Sequence, residues 1–170
     1  MRLNRLLLPS LPLLLLAVAP AASAQLRTLE LAFTGIECAS CLESLPARIQ
    51  RLRGVENAKV DAAKQILSVR FAAANRIRIE QIRDAVEQDG TKTRQATVSL
   101  AGTLAENAGG WTLQLPNNGS RFDLSLDGAA PSVQYALKAG PALVSGVIAN
   151  LRPSSGVLAI SPSAIEPEAQ

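Results

Sequence analysis

The sequence predicts an α+β protein in which a ferredoxin-like βαββαβ domain precedes a small all-β domain. Between residues 25 and 95, runs in which every second residue is apolar, as in strands, are interleaved with two other segments. In those two segments apolar residues recur every three or four positions, as in helices. From residue 96, short apolar runs are separated by Gly-Gly, Asn-Asn-Gly and Asp-Gly turn signals, typical of consecutive short strands. The charge balance changes at the same point, from 12 basic and 9 acidic residues over 25–95 to 3 and 5 afterwards.

Residues 1–24 have the features of a secretory signal peptide. Arg2 and Arg5 precede an apolar stretch over 6–22 that contains three prolines and ends in a small-x-small cleavage signature. The prolines and the short apolar run argue against a membrane anchor. We therefore predict a soluble mature protein from residue 25, without a membrane span, that is periplasmic or secreted. Loss of the two arginines lowers the net charge from +3 to +1, so charge indicates no nucleic-acid partner.

The predicted domain over 25–97 follows from its element order. Strands are expected at 29–33, 55–61, 66–71 and 93–100, from their alternation of apolar and polar residues. The first helix is expected over 42–52, ending at Gly54, and the second over 77–86, closed by Gly90. Pro46 lies inside the first of these and predicts an irregular first turn or a later start, because proline removes a helical hydrogen bond.

The predicted second domain, over 98–161, is strand-rich. Strands are expected at 96–104, 111–115, 121–126, 133–137, 143–151 and 156–160. An OB-like barrel is the first expectation and a small sandwich the second. Trp111, Phe122 and Tyr135 are expected in its core rather than on a base-stacking surface. Residues 162–170 are polar and proline-punctuated, and predict a loose C-terminal tail.

Cys38 and Cys41 are the only cysteines, and the chain has no histidine and a single methionine, Met1. In the predicted topology they lie between the first strand and the first helix. A helix N-terminus lowers the pKa of a thiol, and thiolates prefer soft ions such as Cu(I). A structural zinc site would need four ligands. The residues therefore indicate a two-thiolate site, and no catalytic constellation besides it.

The cysteines belong to a set of motifs that resembles the heavy-metal-associated domain of copper chaperones, of copper-transporting ATPases and of the periplasmic mercury-binding protein. The carriers are Gly35-Ile36-Glu37-Cys38-Ala39-Ser40-Cys41, Leu52-Arg53-Gly54-Val55, Val60-Asp61 and the segment 82–90. The resemblance covers about residues 26–100. The chain departs from it at Ile36, where the family usually has methionine, and at Thr91, where an aromatic residue is common.

The resemblance implies a metal-binding protein, not an enzyme, in which Cys38 and Cys41 hold Cu(I), or Hg(II) or another soft ion. It also implies buffering of the ion, or delivery to an envelope metal transporter or acceptor protein. Two rival interpretations of the pair stay open: thiol-disulfide exchange, and a structural disulfide in an envelope interaction module. A further open question is whether six arginines form a docking face for an acidic partner or a solvated helix face; they are Arg48, Arg51, Arg53, Arg76, Arg78 and Arg83.

Overall fold

The computed structural model describes residues 25–36 and 38–168, so the predicted signal peptide lies outside the described residues. The elements are β1 Gln25–Thr34, α1 Ala39–Gln50, β2 Val55–Asp61, β3 Ile66–Phe71, α2 Ile79–Glu87, β4 Lys92–Asn107, β5 Gly110–Leu115, β6 Ser120–Leu124, α3 Pro131–Ala136, β7 Gly140–Ile148 and β8 Leu158–Pro167. In this part of the chain no helix combines the length and the apolar content that crossing a membrane requires.

The first half has the predicted ferredoxin-like arrangement. Its strands pair in the order β2-β3-β1-β4, each antiparallel to its neighbour. The apolar residues of β1 alternate with polar ones, and the inward set is fully buried together with Leu45 and Ile49 of α1 and Ile82 and Val86 of α2. Burial of these apolar side chains holds the helices against the sheet. The α+β prediction is confirmed.

Strand β4 belongs to both halves of the molecule. Its residues 92–101 pair with β1, residues 96–104 pair with β7, and residues 103–107 pair with β5. The predicted strands at 93–100 and 96–104 are thus one strand, and the expected domain boundary at 97/98 falls inside it. The two halves share a continuous sheet at this point.

The second half is strand-rich, as predicted, and its strands form a ring. They pair in the order β4-β5-β6-β8-β7, and β7 pairs back with β4. Leu104, Leu113, Phe122, Val144 and Ile160 are buried among the side chains of this half. A Cβ at Gly102 would lie 2.6 Å from the Gln114 carbonyl oxygen, so glycine permits close approach of two strands. The assignment of this ring to the OB class stays a prediction.

Three local expectations for the second half are wrong. Residues 131–136 form α3 rather than a strand, because Pro131 starts a helical turn that buries only Val133 among its residues. Tyr135 on this helix is 83% exposed rather than part of the core. Residues 162–167 belong to β8 and pair with β7, so the tail is not loose over that range.

The expected effect of Pro46 is also wrong. Helix α1 is continuous from Ala39 to Gln50 with Pro46 inside it. Leu45 and Ile49, on either side of the proline, are fully buried against the sheet. Tertiary packing therefore offsets the local cost of the proline.

Side chains also join the two halves at α2 and near it. Arg83 donates from Nη1 to the Leu151 carbonyl oxygen at 2.7 Å, and Arg152 pairs with Glu87. Asn118 donates from Nδ2 to the Ile77 carbonyl oxygen at 2.7 Å. The ring thus contacts both ends of α2 in addition to extending the sheet.

Candidate metal centre

The cysteine loop begins where β1 ends. Gly35 has φ +88°, a conformation that side chains other than glycine rarely adopt. Ile36, at a position where the domain that the sequence resembles usually has methionine, packs partly buried against the core. Helix α1 then begins at Ala39, directly after Cys38. The turn at Gly35 and the anchor at Ile36 together position the first cysteine at the start of the helix.

Cys38 is the N-cap of α1. Its Sγ accepts the backbone N–H of Cys41 at 3.2 Å, as a serine or aspartate oxygen would at this position. The Ser40 hydroxyl lies 3.0 Å from the same sulfur. Cys38 is exposed, Cys41 is half-buried, and no disulfide joins them. The structure therefore places both predicted ligands at the first turn of one helix.

The two thiols differ in acidity. Hydrogen bonds to the sulfur from the Cys41 side chain, the Ser40 hydroxyl and the Cys41 backbone N–H lower the pKa of Cys38. The pKa of Cys41 is raised by its hydrogen bond to Cys38, by desolvation and by the negative charges of Cys38 and Asp89, against the opposing effect of Arg48. Cys38 is accordingly the first of the pair to become a thiolate, and Cys41 stabilises it as a donor.

The loop after α2 lies beside the cysteine loop. Asp89 accepts from Arg48 Nη2 of α1 at 3.1 Å and from the Thr91 hydroxyl at 3.2 Å. Thr91 is buried, at 3% exposure, at a position where the domain that the sequence resembles often has an aromatic side chain. Arg48 and Asp89 set part of the charge around Cys41, and the sequence analysis did not identify Asp89. The two residues are 41 positions apart, so no local pattern reveals their pairing.

No other donor cluster occurs in the part of the chain that the structure describes: it holds no group of three or more Cys, His, Asp or Glu side chains arranged to bind a metal ion. The candidate donors are the sulfurs of Cys38 and Cys41. Two adjacent thiols suit a soft ion that accepts a low coordination number, and leave it open to attack by another thiolate.

Part of the chain is similar to known proteins. Residues 31–93 match the family model of the heavy-metal-associated domain. A similar solved structure is the CopZ metallochaperone, at 23% identity over 39% of this chain and 97% of that chain, with a TM-score of 0.36. No curated protein sequence matches the chain significantly.

Two further similar structures are domains of ATPases. One is a copper-binding domain from the P-type ATPase HMA7, at 28% identity over 42% of this chain and 92% of that chain, with a TM-score of 0.36. The other is the N-terminal domain of a potential copper-translocating P-type ATPase from Bacillus subtilis, in the Cu(I)-loaded state. It is 25% identical over 41% of this chain and 85% of that chain, with a TM-score of 0.37.

Proposed function

Because residues 31–93 form a heavy-metal-associated domain, we propose that this protein carries a soft metal ion, Cu(I) foremost, between the sulfurs of Cys38 and Cys41. The observation that carries the proposal is the helix-capping position of Cys38, whose sulfur receives hydrogen bonds from the Cys41 N–H and the Ser40 hydroxyl. These bonds favour the thiolate, which is the form that binds metal. The role is that of a carrier and not of an enzyme.

The asymmetry of the pair supports an order of capture. Cys38 is exposed and its pKa is lowered, so its thiolate meets the incoming ion first. Cys41, whose pKa is raised, loses its proton as the ion binds, since a metal displaces the proton of a coordinating thiol. Release follows by the reverse route, when a thiolate of an acceptor attacks the ion from the open side.

We place this activity outside the cytoplasm, on the strength of the predicted signal peptide over 1–24. An envelope metal transporter or a soluble acceptor protein is the partner that such a carrier requires. Hg(II) is the alternative cargo, because it shares with Cu(I) the preference for thiolates and for two ligands.

The test is a titration of the reduced protein with Cu(I) against a competing chelator. We expect one ion per protein. Each single variant, Cys38→Ser or Cys41→Ser, and the double variant should weaken Cu(I) binding by more than roughly 100-fold. That figure is the upper range for loss of a group that only supports a metal ligand. Ser44→Ala is the matched control, because the Ser44 hydroxyl donates to the Cys41 carbonyl oxygen. Undiminished binding by the double variant would refute the proposal.

Thiol-disulfide exchange is the second candidate, favoured by the same asymmetry of an exposed low-pKa thiol beside a less exposed high-pKa thiol. Such a pair resembles an attacking thiol with its resolving partner. Catalytic turnover of a model disulfide, lost in Cys38→Ser, together with weak Cu(I) binding, would favour this function. A thiol count on protein isolated without reductant adds a third outcome: a fully paired, redox-inert CxxC would indicate a structural disulfide.

A further inference from the structure

The end of the molecule opposite the cysteines carries a group of exposed arginines. There β1 begins, α1 ends, β3 ends and α2 begins, whereas the cysteine loop lies where β1 ends and α1 begins. The turn after α1 and the loop before α2 meet at this end, where the Ala72 N–H donates to the Gly54 carbonyl oxygen at 3.0 Å. We call this end the distal pole.

Four exposed arginines lie on these two segments: Arg51, Arg53, Arg76 and Arg78, the distal arginines. Arg53 and Arg76 line the same cleft, of about 750 Å³, together with Gly54 and Ile77. Arg78 lines a neighbouring cleft with Arg121 and Glu80. The turn after α1 and the loop before α2 therefore present one basic surface.

The distal arginines have no counterions among residues 25–36 and 38–168. None of the four forms an ion pair there, whereas every other arginine of these residues except Arg94 is paired with a carboxylate. Of the six arginines that the sequence offered as a docking face, Arg48 and Arg83 are paired. Four like charges gathered at one end repel one another and attract an anionic surface.

The N-terminal side of the chain joins the described structure at this same pole. Gln25 is 2% exposed, and its side-chain carbonyl accepts the N–H of Ala74, in the loop that carries Arg76. The residues before it are the predicted signal peptide, whose apolar stretch over 6–22 would bring Gln25 to the membrane before cleavage. The distal pole is thus the part of the fold that carries the predicted cleavage site, and cleavage would release it next to the membrane surface.

We propose that the distal pole docks on a membrane surface through anionic lipid headgroups, held by the distal arginines. Basic residues next to a bilayer bind anionic lipids over about a Debye length, roughly 8 Å at physiological salt. Arginine forms paired hydrogen bonds with phosphate, which adds to the charge attraction. A protein docked this way directs Cys38 and Cys41 away from the membrane, toward a soluble partner.

The test is sedimentation with lipid vesicles. The full chain is expressed, purified as the host processes it, and its N-terminus is determined by mass spectrometry. Vesicles of phosphatidylcholine alone are compared with vesicles containing phosphatidylglycerol, at low and at physiological salt. The variant replaces the four distal arginines by glutamine, and a second variant replaces them by lysine. The matched control removes four other basic charges, with Lys59→Gln, Lys92→Gln, Arg94→Gln and Lys138→Gln.

We expect binding to anionic vesicles only, weakened by salt, and at least about tenfold weaker in the glutamine variant. The lysine variant and the matched control should retain most of the binding, and Cu(I) affinity should be unchanged in all of them. Equal binding to neutral vesicles, or equal loss in the control, would overturn the proposal. So would binding to polyglutamate without binding to vesicles, which would identify an acidic protein as the partner.

Discussion

The two halves of the molecule solve the problem of sheet edges differently. The second half closes its strands into a ring, which leaves its central strands paired on both sides. The first half covers one sheet face with two helices and would leave β4 as an exposed edge, a position that invites unwanted strand pairing. Strand β7 pairs with β4 over 96–104 and removes that edge. The ring therefore completes the sheet of the first half.

The reactive and charged groups of the candidate site are unequally distributed between the two halves. Both thiols and the Arg48–Asp89 pair lie in the first half, at the end where the loops after β1 and α2 meet. The second half buries Leu113, Phe122 and Ile160 in its interior, and its contacts with α2 are hydrogen bonds and an ion pair. The residues of the proposed metal site therefore all lie in the first half, and the second half contacts that half through β4 and α2.

The largest expected effect tests whether the halves unfold together. Leu100 is fully buried on β4, opposite Leu26 of β1 on one side and Val144 of β7 on the other. Leu100→Ala should cost about 2–5 kcal/mol. Because β4 serves both halves, Trp111 fluorescence and hydrogen exchange of the α1 amides should report one common transition in denaturant. Two separate transitions, with only one of them shifted, would show that the halves are independent.

The next substitution lies in the first half and is expected to stabilise the protein. Pro46 cannot donate the backbone hydrogen bond that α1 would otherwise make to Leu42, so Pro46→Ala should stabilise the protein by about 1–3 kcal/mol. If the halves are coupled, the midpoint seen by Trp111 should rise as well. Ala47→Gly, at an exposed position of the same helix, is the control and should cost about 1 kcal/mol. A destabilised Pro46→Ala would mean that packing of the half-buried ring outweighs the added hydrogen bond.

A smaller effect is expected from cutting the contacts between the ring and α2. Arg83→Gln with Arg152→Gln removes the bonds to Leu151 and Glu87 and should cost about 1–2 kcal/mol. Arg121→Gln, which breaks the exposed pair with Asp123 within β6, should cost close to nothing. Chemical unfolding of the three proteins measures the difference, and an equal cost in both variants would contradict a special role for α2.

The same double variant has an expected pH dependence. Desolvation raises the pKa of Glu87, but hydrogen bonds from Thr93 and Arg152 outweigh it and lower the pKa. A lowered carboxyl pKa contributes stability that is fully present above the pKa of the unfolded chain and is lost as pH falls through the folded pKa. The stability difference between wild type and the double variant should therefore shrink in acid. A difference that grows in acid would contradict this sign.

The smallest effect concerns the cysteine loop alone. Ser40→Ala removes the hydroxyl that lies 3.0 Å from the Cys38 sulfur and helps to lower its pKa. Alkylation of the metal-free protein by iodoacetamide should then rise at higher pH than in wild type, with the fold unchanged. Ser44→Ala should leave the profile in place, because that hydroxyl bonds to a backbone carbonyl. Identical profiles for the Ser40 and Ser44 variants would show that the Ser40 hydroxyl does not lower the pKa of Cys38.

Much of the first half could be predicted because its signals are local. The alternation at 29, 31 and 33 and the spacing of Leu45 and Ile49 follow from the period of each element, and the structure buries these side chains as expected. The secondary structure of the ring is harder to predict from the sequence. The apolar residues at 133 and 137 fit a strand pattern, yet Pro131 begins a short helix there. The segment at 162–167 looks like a polar tail, and it becomes strand only by pairing with β7.

The sequence by itself determined the donor set of the site, two thiols without histidine, the position of that pair between a strand and a helix, and the α+β class. Tertiary structure alone decided that β4 serves both halves, that Arg48 and Asp89 lie together beside Cys41, and which arginines stay unpaired. The physical reason is the sequence separation between the interacting residues. Periodicity is set by neighbours one to four positions apart, whereas Arg152 meets Glu87 across 65 positions, and only the completed fold brings such residues together.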